Sequence, residues 1–237
     1  MDYGMAKLKH LAALIEKMNG GDTARTNSLV MVARKAGLFT TGGRGPNAPE
    51  MWPTDFGRAL LLGTTLATPT RAAETVKTLE AAQPFIVKID PMDGGGFRDV
   101  DPDESRLMGA DVYENPYLPS FLSDMPNDLA GFLEELFASL FAGEWSFQDW
   151  DQFRVRDAYG RFEISFLLHG ARYIEGKASG WNEVSDDERT PAHYGWEFVF
   201  HVEKPTEHHE FFGAVDRVIY SNALKALQEL ARGGDNG

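Results

Sequence analysis

Thr23, Arg25, Thr26, Asn27 and Ser28 place a run of hydrogen-bonding side chains directly after the turn formers Asn19-Gly20-Gly21. Such groups reach phosphates and base edges, Arg toward guanine and Asn toward adenine. Behind them Leu29, Val32, Ala33 and Ala36 supply an apolar back face, which is the combination a recognition helix needs to enter a major groove while held to a first helix. The same residues also suit a plain amphipathic helix with a polar capping stretch. Further on, Gly42-Gly43-Arg44-Gly45-Pro46 flanks one arginine with residues lacking bulk. That composition fits a narrow minor groove, whose negative potential attracts Arg, and it also fits a solvated turn. Its place after the candidate helix, in the basic part of the chain, favours the groove.

The stretch Val32-Ala33-Arg34-Lys35-Ala36-Gly37-Leu38-Phe39-Thr40-Thr41-Gly42-Gly43-Arg44-Gly45, followed by Ala48-Pro49 and by Thr54-Asp55 opening an apolar helix, resembles a known segment. It looks like the helix-turn-helix of proteins encoded in prophages and gene-transfer-agent-like elements of alphaproteobacteria, over residues 25 to 65. The resemblance implies DNA binding and carries Arg34, Lys35, Thr41 and Arg44 over as phosphate or groove contacts. With the polar run, the expected DNA-binding set is Arg25, Thr26, Asn27, Arg34, Lys35, Thr41 and Arg44. The chain departs from the usual pattern in having a glycine-rich connection before the recognition helix where a further helix is usual.

Other groups invite chemistry and offer less. His169, His193, His201, His208 and His209 share the C-terminal half with Glu163, Glu197 and Glu203, but none has the HExxH or other spacing of a metal or acid-base site. Asp90, Asp93, Asp99, Asp101 and Asp103 lack the ordered positions and terminal Glu of a calcium loop and read as a solvated acidic stretch. Gly94-Gly95-Gly96 has no P-loop lysine, and no nucleophile elbow occurs. Trp145, Phe147, Trp150 and Phe153 could cage a ligand, yet aromatics beside an amphipathic helix belong first to a core. No catalysis, cofactor or metal is expected.

The elements that must position these residues follow from periodicity. Leu8, Leu11, Leu14, Ile15 and Met18 predict a helix over 6–18, and Asp22 or Thr23 can cap a second one ended by Gly37. Residues 40–53 hold three glycines and three prolines and cannot be regular helix. Thr54 should cap a helix over 55–66, and another should run from Thr70 to Ala82. Prolines and aspartates between 90 and 127 break any long element. Beyond Asn127 as a cap, Leu129, Phe132, Leu133, Leu136, Phe137, Leu140 and Phe141 mark a strongly amphipathic helix. Alternation predicts strands over 161–169 and 194–203, with 173–177 as a third, and a closing helix over 211–232.

The fold class read from this pattern is α+β: an all-helical helix-turn-helix domain at 1–85, an acidic Pro/Gly-rich linker at 86–126, and a small antiparallel sheet flanked by helices at 127–237. The charge is divided the same way. The net charge is -13, but residues 1–90 carry 11 Lys and Arg against 8 Asp and Glu, and residues 91–237 carry 12 against 28. The absence of cysteine excludes disulfides and thiolate zinc sites. The N-terminus has no signal-peptide core and no apolar run approaches a membrane span, so a cytoplasmic protein with no membrane partner is expected.

These features lead to a sequence-specific transcriptional regulator of phage or mobile-element type. Its partner is double-stranded DNA; it acts as a homodimer, and the acidic C-terminal part dimerises or receives a protein partner. Two alternatives share the features. One is a DNA-recognition adaptor for genome packaging, like a small terminase subunit. The other is an acidic inhibitor or DNA mimic with an autoregulatory helix-turn-helix.

Overall fold

The computed structural model describes residues 6–42, 48–65, 67–90, 98–100, 119, 121–122, 125–158, 160–174, 190–203 and 215–233. Within them lie six helices and six strands. In chain order these are α1 (Leu8–Met18), α2 (Thr23–Lys35), α3 (Pro53–Thr64), α4 (Pro69–Glu80), β1 (Gln83–Asp90), β2 (Arg98–Val100), α5 (Leu129–Ala142), β3 (Gln152–Ala158), β4 (Arg161–Ile174), β5 (Thr190–Glu203), β6 (Val215–Tyr220) and α6 (Ser221–Ala231). The architecture is α+β, with helices first and an antiparallel sheet after them. No helix among the described residues is long and apolar enough to cross a membrane.

The turn between α1 and α2 is made by Gly20 (φ 72°) and Gly21 (φ 83°), a left-handed pair that a Cβ would strain. Asp22 then caps α2 by accepting from the Arg25 N–H at 2.9 Å. Helix α3 and its cap come two residues earlier than expected from a Thr54 cap. Trp52 is the cap residue, Pro53 fills the first turn where its missing N–H costs nothing, and the Asp55 carboxylate reaches back to the Trp52 N–H at 2.8 Å.

Every residue of α3 from Asp55 to Thr64 except Arg58 is buried, because α1 and α4 pack against it as well as α5. Gly57 lets α5 come close: a Cβ there would stand 3.0 Å from the Leu133 Cβ of α5. Beside it the Phe56 ring meets Phe137 and Phe141 with centroids 5.7 and 5.0 Å away. Residues expected in two separate parts therefore share one continuous core.

The sheet has the order β2-β1-β5-β4-β3-β6, with every neighbouring pair antiparallel. On one face Ile164 stands opposite Phe200, Phe166 opposite Phe198 and Leu168 opposite Trp196, and all six are fully buried. Phe132 of α5 sits over this face, 5.0, 4.9 and 5.2 Å from the rings of Phe166, Phe198 and Phe200. Period-2 alternation along the strands and period-3.6 alternation along α5 bring the two apolar surfaces together.

Three expectations change. The 85/86 boundary falls inside β1, so the stretch 86–126 is not all linker: its first residues pair with β5, and Arg98–Val100 pairs with β1. Val87 is buried opposite Phe198, and Pro84 is tolerated because the register shifts between Pro84 and Ile86. The closing helix begins at Ser221, not 211, since Val215 to Tyr220 is a strand that pairs with β3 and seats Ile219 opposite Phe153. Tyr173 and Ile174 do not open a third strand but end β4, which runs unbroken from Arg161.

Candidate nucleic-acid interface

Helix α2 lies against α1 and α4, which leaves one side of it free. Along that side Asn27, Met31, Arg34 and Lys35 are exposed, at the i, i+4, i+7 and i+8 spacing of one helix face. With Val30 and with Thr41 from the following connection they line a shallow depression of about 450 Å3. Four of the expected contact residues, Asn27, Arg34, Lys35 and Thr41, are thus brought together. Arg34 and Lys35 form no ion pair and no side-chain hydrogen bond among the described residues. Four other basic groups are committed to carboxylates: Arg58 to Glu80, Lys88 to Glu197, Arg156 to Asp216 and Lys225 to Asp149.

Two expected contacts face elsewhere. Thr26 is 2% exposed and turned into the helical core with Leu29 and Ala33, so it cannot touch a duplex. Arg25 is drawn inward as well. Its Nη2 donates to the carbonyl oxygens of Thr65 (3.1 Å) and Ala67 (3.0 Å), and its Nε donates to Asn19 Oδ1 at 3.4 Å. From the sheet, Arg217 of β6 donates to the Met18 carbonyl at 2.8 Å and to the same Asn19 oxygen at 3.4 Å. Burial, and then the neighbouring Arg25, holds the Arg217 guanidinium below its ordinary pKa. Both cations sit where the last carbonyls of α1 and α3 need donors, so their work is to fix α2 relative to the sheet. Arg44 lies outside the described residues.

The connection that carries Thr41 is anchored at both ends. Asp55, 1% exposed, accepts from the Thr40 N–H and hydroxyl and from the Trp52 N–H. Lys7 Nζ donates to the Ala48 carbonyl at 2.6 Å, and the Met51 N–H donates to the Ala6 carbonyl at 3.0 Å. The N-terminus of α1 is tied in by the Lys7 N–H, which donates to His10 Nδ1 at 3.1 Å. Burial, with Lys9 and Lys7 adding to it, keeps the His10 pKa below its ordinary value.

Met31, which the polar pattern did not single out, joins this face and is 52% exposed. Helical phase could have found it, since Met31 falls on the same face as Asn27 and Lys35 and opposite Leu29 and Ala33.

The histidines of the sheet meet carboxylates in two separate places. His169 Nδ1 lies 3.0 Å from Asp151 Oδ1, and the fully buried Asp151 also accepts from the His169 and Gln148 N–H groups. His201 bonds Glu163 at 3.2 Å and stacks on Phe85, while the bond to Glu197 holds the Lys88 ammonium above its ordinary pKa. His208 and His209, the side chain of His193 and the run 91–97 with its three glycines lie outside the described residues, as do Asp101 and Asp103. No group of three or more His, Cys, Asp or Glu that could hold a metal occurs among the described residues. Of the aromatic cluster Trp145, Phe147 and Phe153 are core, and Trp150 is 75% exposed. No known protein family, curated protein or solved structure matches this chain.

Proposed function

We propose that this chain is a sequence-specific DNA-binding regulator of the phage or mobile-element type, and that the exposed side of α2 is its duplex contact. The observation that carries the reading is the pair Arg34 and Lys35, without ion-pair partners among the described residues, on one helix face with Asn27 and beside Thr41. Uncompensated cations gain most when they replace the counterions of a phosphate backbone. Asn27, further along the same face, is the group suited to an adenine edge. α1 and α2 with the glycine turn between them serve as a helix-turn-helix, in which Arg25 and Arg217 set the angle of the reading helix. A chain with a net charge of -13 needs such a local positive face. Its acidic remainder repels the duplex and orients the approach.

The test uses the full chain, because the helices and the sheet share a core. Affinity for duplex DNA is measured from low to physiological salt for wild type, Arg34→Ala and Lys35→Ala. Each variant should weaken binding and lower the slope of log K against log salt by about one. Asn27→Ala should cost about 1 to 3 kcal/mol at one base position and leave the slope alone. Absence of salt-dependent duplex binding by wild type overturns the reading.

A further inference from the structure

Next to the α2 face lies a second cleft of about 350 Å3, lined by α1 on one side and by residues 40–42 and 48–51 on the other. Its floor is Leu8, Ala12, Val30, Pro49 and Met51. Of these only Met51 is fully withdrawn from solvent, so the cleft leaves apolar side chains from three segments partly wetted. Two basic side chains, Lys9 and Arg34, stand among the lining residues and make no ion pair among the described residues. The first turn of α1 opens here too, and the Leu8 and Lys9 N–H groups have no acceptor among the described residues. A helix N-terminus favours negative charge. An apolar floor of this size with cations beside it complements a small molecule that has a hydrocarbon body and one anionic end. A multiply charged phosphate would leave the floor unused, and a neutral lipid would leave the cations unused.

We propose that this cleft binds a small amphipathic carboxylate, whose chain lies on Leu8, Ala12, Val30 and Pro49 and whose carboxylate pairs with Lys9 and Arg34. Val30, Arg34 and Thr41 line both this cleft and the depression on the α2 face, so the two sites share a wall. A carboxylate that holds Arg34 removes it from a phosphate. The regulatory half of the proposal rests on the DNA reading; the binding half does not.

The experiment titrates the full chain with decanoate, decanol and decylamine, each below its aggregation concentration, by calorimetry. Decanoate should bind saturably, decanol more weakly, and decylamine not at all. Lys9→Ala with Arg34→Ala should lower decanoate affinity about tenfold or more, as loss of charge-assisted bonds requires, and leave decanol unchanged. Ala12→Phe, which fills the floor, should abolish binding of decanoate and decanol, with an unchanged melting transition as the control for folding. Decanoate should also raise the apparent Kd for duplex DNA in wild type but not in Ala12→Phe. Equal binding of the three probes, or decanoate binding that survives Ala12→Phe, overturns the site. Decanoate binding without any DNA binding keeps the site and removes the DNA reading; DNA binding without decanoate binding removes the site alone.

Discussion

Thr40 and Asp55 are joined by two hydrogen bonds of 2.8 Å, one from the Thr40 N–H to Oδ1 and one from its hydroxyl to Oδ2. Because Oδ2 also accepts from the Trp52 N–H at 2.8 Å, a single buried carboxylate ties together the two ends of the 41–51 connection. Asp55→Asn turns one acceptor into a donor that faces donors. With hydrogen bonds to a charged group worth about 1.5 to 3 kcal/mol each, the loss should be roughly 2 to 4 kcal/mol in urea unfolding. Thr40→Val removes only the hydroxyl bond and should cost less. Equal small effects from both variants would show that Asp55 does not organise the connection.

Arg25 and Arg34 sit nine positions apart on one helix with opposite tasks, and two variants separate them. Arg25→Ala frees the carbonyls of Thr65 and Ala67 and should destabilise by about 1 to 3 kcal/mol. Arg25→Lys should not restore the loss, since an ammonium cannot replace the planar fork that bridges these acceptors. Arg34→Ala should leave unfolding within about 0.5 kcal/mol of wild type, as expected of an exposed side chain without partners among the described residues. Thermal and urea melts of the three variants provide the check.

Phe198 and Phe200 both lie under Phe132 with no exposed surface. Replacing either with Ala should cost roughly 3 to 5 kcal/mol through lost burial and the cavity left behind. Phe85, exposed on β1 and stacked on His201, is the contrast. Its replacement should cost under about 1.5 kcal/mol. Matching melts for Phe85→Ala and Phe198→Ala would mean that the packed face is assigned wrongly.

His10 gives a pH signature whose sign is fixed by its environment. Burial and the two lysines lower its folded-state pKa, and its Nδ1 must stay unprotonated to accept from the Lys7 N–H. The unfolded chain then takes up a proton more readily than the folded one. Stability is complete above the ordinary value of about 6.5 and declines as pH falls through it toward the lowered value. His10→Gln keeps an acceptor at the third helical position and does not titrate. The difference in melting temperature between the two proteins should therefore widen from pH 7.5 to pH 5.5 in favour of the variant, and a constant difference would rule out His10 as the source.

Local chemistry alone determined much of this molecule. The Asn19-Gly20-Gly21-Asp22 turn needs left-handed backbone and a cap, and the heptad-like leucines of α1 and α5 need a face to bury. The strands over 161–169 and 194–203 alternate with a period of two, broken only at Leu167 and Val199. Each of these is a nearest-neighbour property, so the sequence carries it without help. The strand character of 83–90 and 215–220 is different, because Gln-Pro-Phe-Ile and Val-Asp-Arg-Val have no strong preference until β5 and β3 offer them a ladder and a packed face. The same holds for the site. The residue types at 27, 34, 35 and 41 marked a polar surface, but Arg25 and Thr26, equally polar and in the same run, turned inward. Their direction was decided by where α4 and the end of α3 came to rest, and for Arg25 by contacts over 40 and 42 positions that no local pattern encodes.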